Sequence, residues 1–352
     1  MKSSALFSTV FTAAITAAAM TTAMAAGTSV PTVKITPLGS HAGEYCATDR
    51  AMLFEDPTGV RLVYDVGASV AGGSDPRLGD VHVVLLSHAH GDHIGAAKAA
   101  GANAGTCARP ETVSALPATN TGEIIATKNA AIMTGIDMTG FLAKKVETIR
   151  GGTVENCAES GLSRDTIVPL QAPCRAGVQL GGKRTFKIAG QARGVQVTTV
   201  YAEHSNNASR AMLSETGRAP LASDELNAYV GHANGFVLSF SNGLRVYLSG
   251  DTSVMGEMKT IIGDFYRPNL AIINLGATTM PSEEAAYAVN TLIRPAAVIP
   301  SHSSEEGTVG GKLKPGGRTA DFVRLVKGRK VHLSLSGRTM AFDGKAKCVA
   351  GC

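Results

Sequence analysis

Ser87-His88-Ala89-His90-Gly91-Asp92-His93 decides how this chain is read, because it follows directly on the apolar run Val81-His82-Val83-Val84-Leu85-Leu86. The run has strand character, so the polar stretch is the loop leaving the strand's end. Three imidazoles and a carboxylate this close together cannot be buried cheaply without a cation or many hydrogen-bond partners. Gly91 permits a tight turn, so the side chains can converge on one point. Neutral imidazole and carboxylate are the nitrogen and oxygen donors that suit zinc, with manganese or iron as the alternatives. A solvated polar loop would account for one histidine but not for this spacing.

Working outward, three more donors each stand just beyond a strand-like run. They are His204 in Tyr201-Ala202-Glu203-His204-Ser205, Asp251 in Ser249-Gly250-Asp251-Thr252, and His302 in Ile299-Pro300-Ser301-His302. Asp65 closes the run from Val60. Short strands are expected over 33–38, 51–55, 60–65 and 81–87, and a helix over 94–100. Residues 101–194 are less regular and read as a crossover or insertion with some helix. In the second half, Asn242-Gly243 between 235–240 and 244–249 is a hairpin signal. Val254, Met258, Ile261, Ile262 and Phe265 recur at helical spacing. A strand over 270–275, a helix over 282–292 capped by Ser282, a strand over 296–300, a helix over 319–326 and a closing hairpin over 331–342 complete the pattern.

His88-x-His90-x-Asp92-His93 resembles the metal-binding motif of the metallo-β-lactamase-fold hydrolases, with the later donors in family order. The stretch from Gly235 to His302 is similar to a narrower branch, that of ascorbate-6-phosphate-lactonase-like and uncharacterised metal-dependent hydrolases. Its carriers are Gly250-Asp251-Thr252, Thr279-Met280-Pro281-Ser282-Glu283-Glu284-Ala285-Ala286 and Pro300-Ser301-His302. The resemblance covers about 33–342. It implies an α/β fold, a four-layer αββα sandwich, and a two-zinc centre. His88, His90 and His204 would hold one metal, and Asp92, His93 and His302 the other, with Asp251 bridging. Asp92 and Asp251 are then the catalytic carboxylates. Asp65 is expected to hold a ligand histidine rather than a metal. His41 and His232 are candidates for the cleft's border, although a structural role is the plainer reading of His232.

Composition bounds what such a centre could serve. The 352 residues are 44% hydrophobic and 17% charged, which excludes a disordered chain. A formal charge of +5, with no Lys/Arg run, excludes a phosphate-tracking nucleic-acid binder. Met1-Lys2, the apolar stretch from Ala5 to Met20 and the small-x-small triplet Ala23-Met24-Ala25 read as a cleaved export signal over 1–25. The mature domain is then 26–352, periplasmic or secreted, with no membrane attachment after cleavage. Six cysteines allow up to three disulfides in an oxidising compartment, in any of 15 pairings.

The function expected is hydrolysis of a lactone, ester or amide-type bond in a small molecule by a metal-bound hydroxide. β-Lactam or phosphodiester cleavage would use the same ligands. An iron-dependent dioxygenase on the same fold, or a non-catalytic metal binder, is the reading from another class. His90, where a glutamate would suggest di-iron redox relatives, favours zinc. Oligomeric state is open.

Overall fold

The computed structural model describes residues 1, 6, 30–162, 164–222 and 226–352. Two units are separated, Met1–Val30 and Pro31–Cys352. In the first, only Met1, Leu6 and Val30 are described, all exposed. The export signal expected over 1–25 otherwise lies outside the described residues.

The second unit is built on two eight-stranded sheets. In spatial order the first runs Cys348–Ala350, Met340–Phe342, Val33–Pro37, Met52–Glu55, Arg61–Tyr64, Val83–Leu85, Ala131–Met133 and Cys174–Arg175. The second runs Lys330–Val331, Ala297–Ser301, Leu270–Asn274, Arg245–Leu248, Asn234–Ser239, Val195–Tyr201, Lys183–Ile188 and Asp165–Val168.

Side-chain alternation dictates the layering. Met52 pairs with Tyr64 and Phe54 with Leu62, and these four point into a core shared with Phe236, Leu238, Val246 and Leu270 of the second sheet. Leu53 and Val63, between them, face the other way, against Ile124, Ile125, Leu142 and Val146 of the helices Asn120–Lys128 and Ile136–Arg150. On the second sheet Val237, Tyr247, Ala271 and Val298 likewise turn outward, against Met258, Ile262, Val289 and Phe322. Helix, sheet, sheet, helix is therefore the order, the αββα sandwich expected.

Several local expectations give way to tertiary context. Over 94–100 the helix stops after one turn, Gly91–Ile94, because Gly95 adopts φ 78°. Ala97–Ala99 is instead a strand paired with Thr112–Ser114. Residues 101–194 are a crossover woven into both sheets and not a separate insertion: Ala131–Met133 and Cys174–Arg175 extend the first, Asp165–Val168 and Lys183–Ile188 the second. The closing hairpin over 331–342 does not form. Lys330–Val331 pairs with Ala297–Val298, while Met340–Phe342 crosses over to pair with Val33–Ile35. Ser282 is not a cap either; its hydroxyl donates to Arg318 O at 2.8 Å. The amphipathic segments Met258–Tyr266 and Ala288–Ile293 are wide π-type turns, closed by i→i−5 bonds such as Arg267 N to Ile262 O at 2.9 Å.

The six cysteines pair as Cys46–Cys107, Cys157–Cys174 and Cys348–Cys352. No helix among the described residues is long and apolar enough to cross a membrane.

Candidate metal centre

Strands 61–64 and 83–85 run parallel, as do 245–248, 270–274 and 297–301. The loops carrying Asp65, the 88–93 cluster, Asp251 and His302 therefore all leave at carboxyl ends of strands. Val195–Tyr201 is two antiparallel steps from Arg245–Leu248, so it shares that direction and delivers His204 to the same edge.

The seven donors fall into two groups, His88, His90 and His204, and Asp92, His93, Asp251 and His302, each with ligand atoms within 4.8 Å of one another. In the first, His204 Nε2 lies 3.2 Å from His90 Nδ1, and the His88 ring centroid is 4.5 Å from that of His90 and 4.8 Å from that of His204. In the second, Asp251 Oδ2 is 3.0 Å from His93 Nε2 and 3.1 Å from His302 Nε2. Asp92 Oδ2 is 3.2 Å from His302 Nε2. His88 and His93 join the groups, their ring centroids 4.1 Å apart.

Neighbouring polar groups fix the orientations. Asp65 Oδ2 lies 2.7 Å from His93 Nδ1 and 2.6 Å from the Ser87 hydroxyl, and Asp65 Oδ1 accepts from Ser87 N at 2.8 Å. The Ser87 hydroxyl is also 2.9 Å from His88 Nδ1, which leaves each ring's Nε2 for the centre. Asn206 Oδ1 accepts from Ala89 N at 2.8 Å, tying the His204 loop to the cluster. Glu203 N donates to the Thr252 hydroxyl at 2.9 Å, and Asn274 Nδ2 donates to Thr252 O at 3.1 Å, which set the Asp251 loop.

Electrostatics separate the two groups. Burial, then the neighbouring charge of His93, pushes the His88 imidazole well below its ordinary range. Burial likewise lowers His90 and His204, so this group consists of neutral rings. Burial alone would lower His93 too, but the Asp251 and Asp65 carboxylates override it and lift it to about 10. Burial would raise Asp251, and the charge of His93 with the His302 hydrogen bond holds it well below the carboxylate range instead. Asp92 is depressed against its own burial by the His302 hydrogen bond and by His93 and Arg50.

These residues fit a pair of cations. His88 Nε2 and Asp251 Oδ1 are both buried without a hydrogen-bond partner, a costly condition that a cation relieves. The donors are imidazole nitrogens and carboxylate oxygens, the set zinc takes. The third cluster, His332 with Cys348 and Cys352, offers no thiolates, because those sulfurs are bonded to each other.

Asp65 touches His93 and stands in neither donor group. Neither His41 nor His232 belongs to either donor group. His41 lies in the turn after the first strand with Nδ1 buried and unpartnered, and the His232 ring is exposed between Tyr201 and Tyr229. Arg50 was not legible from sequence. Its side chain is 5% exposed, Nη1 donates to Asp92 O at 2.8 Å, and Nη2 lies 3.2 Å from Asp92 Oδ2.

Fold and donor set resemble one class, and the comparison with known families agrees: residues 51–165 match the metallo-beta-lactamase superfamily. The matched span contains Asp65 and the 88–93 cluster; His204, Asp251 and His302 lie beyond it. Among similar proteins is a UPF0173 metal-dependent hydrolase of Cupriavidus taiwanensis, 28% identical over 228 residues, which are 64% of this chain and 60% of the relative. Another, of Polynucleobacter asymbioticus, is 31% identical over 185 residues, 51% of this chain and 59% of the relative. The match thus spans 59–60% of the length of these relatives. Igni18, a metallo hydrolase of the archaeon Ignicoccus hospitalis, superimposes with a TM-score of 0.50 at 21% identity, covering 89% of this chain and 99% of the other. At that identity the likeness speaks for the fold.

Proposed function

We propose that this chain is an exported, zinc-dependent hydrolase that cleaves a lactone, ester or amide-type bond of a small molecule. The observation that carries the reading is the pair of donor groups, one of three neutral imidazoles and one that includes two carboxylates, with Asp251 buried in the second. Its Oδ2 belongs to the second group, its Oδ1 is unpartnered, and its charge acts on His88 and His204 of the first.

His88, His90 and His204 would hold one cation, Asp92, His93 and His302 the other, and Asp251 would be shared. When bound, the cations supply a water acidified towards neutrality and polarisation of the substrate's oxygen. Asp65 holds Nδ1 of His93 so that Nε2 faces Asp251. Asp92 is the donor most open to solvent, its side chain 49% exposed, and there its carboxylate orients the incoming water. The cavity behind Asp251, about 10 Å³ between Arg50, His93, Asn274 and His302, is too small for substrate, which must approach from the Asp92 side.

Export is supported by the leader-like residues 1–25 and by cysteines all paired in disulfides. N-terminal sequencing of the processed protein tests it, and a chain that still begins at Met1 outside the cytosol would contradict cleavage.

The experiment for function is a hydrolysis panel on the zinc-loaded protein, with Asp251→Ala as blank. It comprises acyl-homoserine and sugar lactones, aryl esters, a β-lactam and a bis-aryl phosphate. Turnover of a lactone or ester that depends on Asp251 is expected. Activity confined to the phosphate or the β-lactam would replace the substrate reading. Silence with metal bound, together with oxygen uptake by an iron-loaded sample, would replace the hydrolase.

A further inference from the structure

The backbone that presents His302 is strained. His302 has φ 51° and Ser304 φ 54°, left-handed values that ordinary side chains adopt only when their surroundings impose them. The surroundings here are a segment far away in sequence. The Tyr45 hydroxyl, in a fully buried side chain, accepts from Ser303 N at 3.0 Å, and Asp49 O accepts from His302 N at 3.4 Å. Tyr45 O accepts from Gly307 N at 2.9 Å, and Tyr45 N donates to the Thr308 hydroxyl at 2.8 Å. Gly307 lies so close to the Tyr45 ring that a Cβ there would come within 2.4 Å of it. Glu44 takes the Thr308 hydroxyl at 2.6 Å and Gly311 N at 3.0 Å. At the far end of the same segment, Arg50 grips Asp92.

This brace is itself anchored. Asp49, buried, accepts from Ser40 N at 2.8 Å, the Ser40 hydroxyl at 3.0 Å and Cys46 N at 2.9 Å. Cys46, next to Tyr45, is bonded to Cys107, 61 residues on. Among the contacts named here, the segment reaches His302 and Asp92 and touches none of His88, His90 and His204.

We infer that Glu44–Arg50 is a positioning element for one half of the centre only. Tyr45 is its principal positioning residue, holding the strained His302 backbone so that Nε2 meets Asp92 and Asp251. The inference rests on the two-cation reading. It gives the two half-sites separate controls: the three-imidazole group stands without the brace, and the carboxylate-containing group depends on it.

The test is calorimetric titration of the metal-stripped full chain with Zn²⁺, resolving both equivalents. Wild type takes up two. In Tyr45→Phe, which keeps the ring packing and removes one acceptor, one equivalent weakens roughly 10–100-fold while the other is unchanged. Cys46→Ser with Cys107→Ser gives the same split, and decides the matter by the same criterion if Tyr45→Phe does not fold. Two unchanged equivalents, or equal weakening of both, would overturn the inference. A wild-type chain that binds fewer than two equivalents refutes the two-cation centre itself, which is a different result.

Discussion

His93 Nδ1 stands 2.7 Å from Asp65 Oδ2, so a carboxylate outside both donor groups decides which nitrogen of the ring faces the centre. Both groups are almost wholly buried, and Asp65 also receives the Ser87 amide and hydroxyl. In Asp65→Asn the amide retains an acceptor but loses the charge that orients the ring. The second cation should bind roughly 10–100-fold more weakly, with the first affected less. Titration calorimetry reads this directly, and equal affinities in variant and wild type would remove Asp65 from the account.

Metal removal should loosen the whole second unit. The donors come from loops of both sheets, so a bound cation links the layers and has no equivalent site in the unfolded chain. At free zinc 100 times above Kd the linkage is worth about 2.7 kcal/mol per site. Scanning calorimetry with and without chelator should show a clearly lower Tm for the stripped protein. Identical melting curves would count against the linkage.

Acid sensitivity should appear at Glu159. Hydrogen bonding from Arg164, with the charges of Arg184 and Arg164, lowers its carboxyl from 4.5 to about 2 against a small opposing burial effect. A depressed carboxyl stabilises the fold above its unfolded pKa, and that contribution disappears as pH falls through the folded value. The Tm difference between wild type and Glu159→Gln should therefore be present above about pH 4.5 and vanish by about pH 2, read from melting curves across that window. Solvent exposure keeps the difference small.

The Cys157–Cys174 bond, 17 residues apart in sequence and set in the inter-sheet core, should matter for stability alone. Replacing both residues by serine should cost about 3 kcal/mol in denaturant unfolding, chiefly by freeing the unfolded chain. Both zinc equivalents should persist, unlike the outcome expected at Cys46 and Cys107. Loss of a cation here would mean that the sandwich, rather than the local brace, sets the site.

The donor set was legible because four of its members lie within six residues and the rest each follow a strand-like run. Sequence could not show Tyr45 or Arg50. Tyr45 meets Ser303 across 258 residues and Arg50 meets Asp92 across 42, and nothing in their local setting marks either pairing. The layered fold was legible from the family resemblance and from the order of strands before helices in both halves, but the middle of the chain was not. Strands as short as Cys174–Arg175 carry no periodicity, and only their place beside Ala131–Ile132 makes them strands. At 94–100 a helix-like composition lost to the left-handed turn at Gly95. At 331–342 a local hairpin lost to two sheets that each needed an edge partner.

The division of the ligands between the sheets also orders events during synthesis. His88, His90, Asp92 and His93 emerge from the ribosome together, yet neither donor group can close on them. The first waits for His204, and the second for His302, the last of the seven to be made. A growing chain therefore carries an unfinished claw until the second sheet has been translated and has folded against the first. On the two-cation reading, capture at the completed centre would be reserved for a molecule whose two halves have already met.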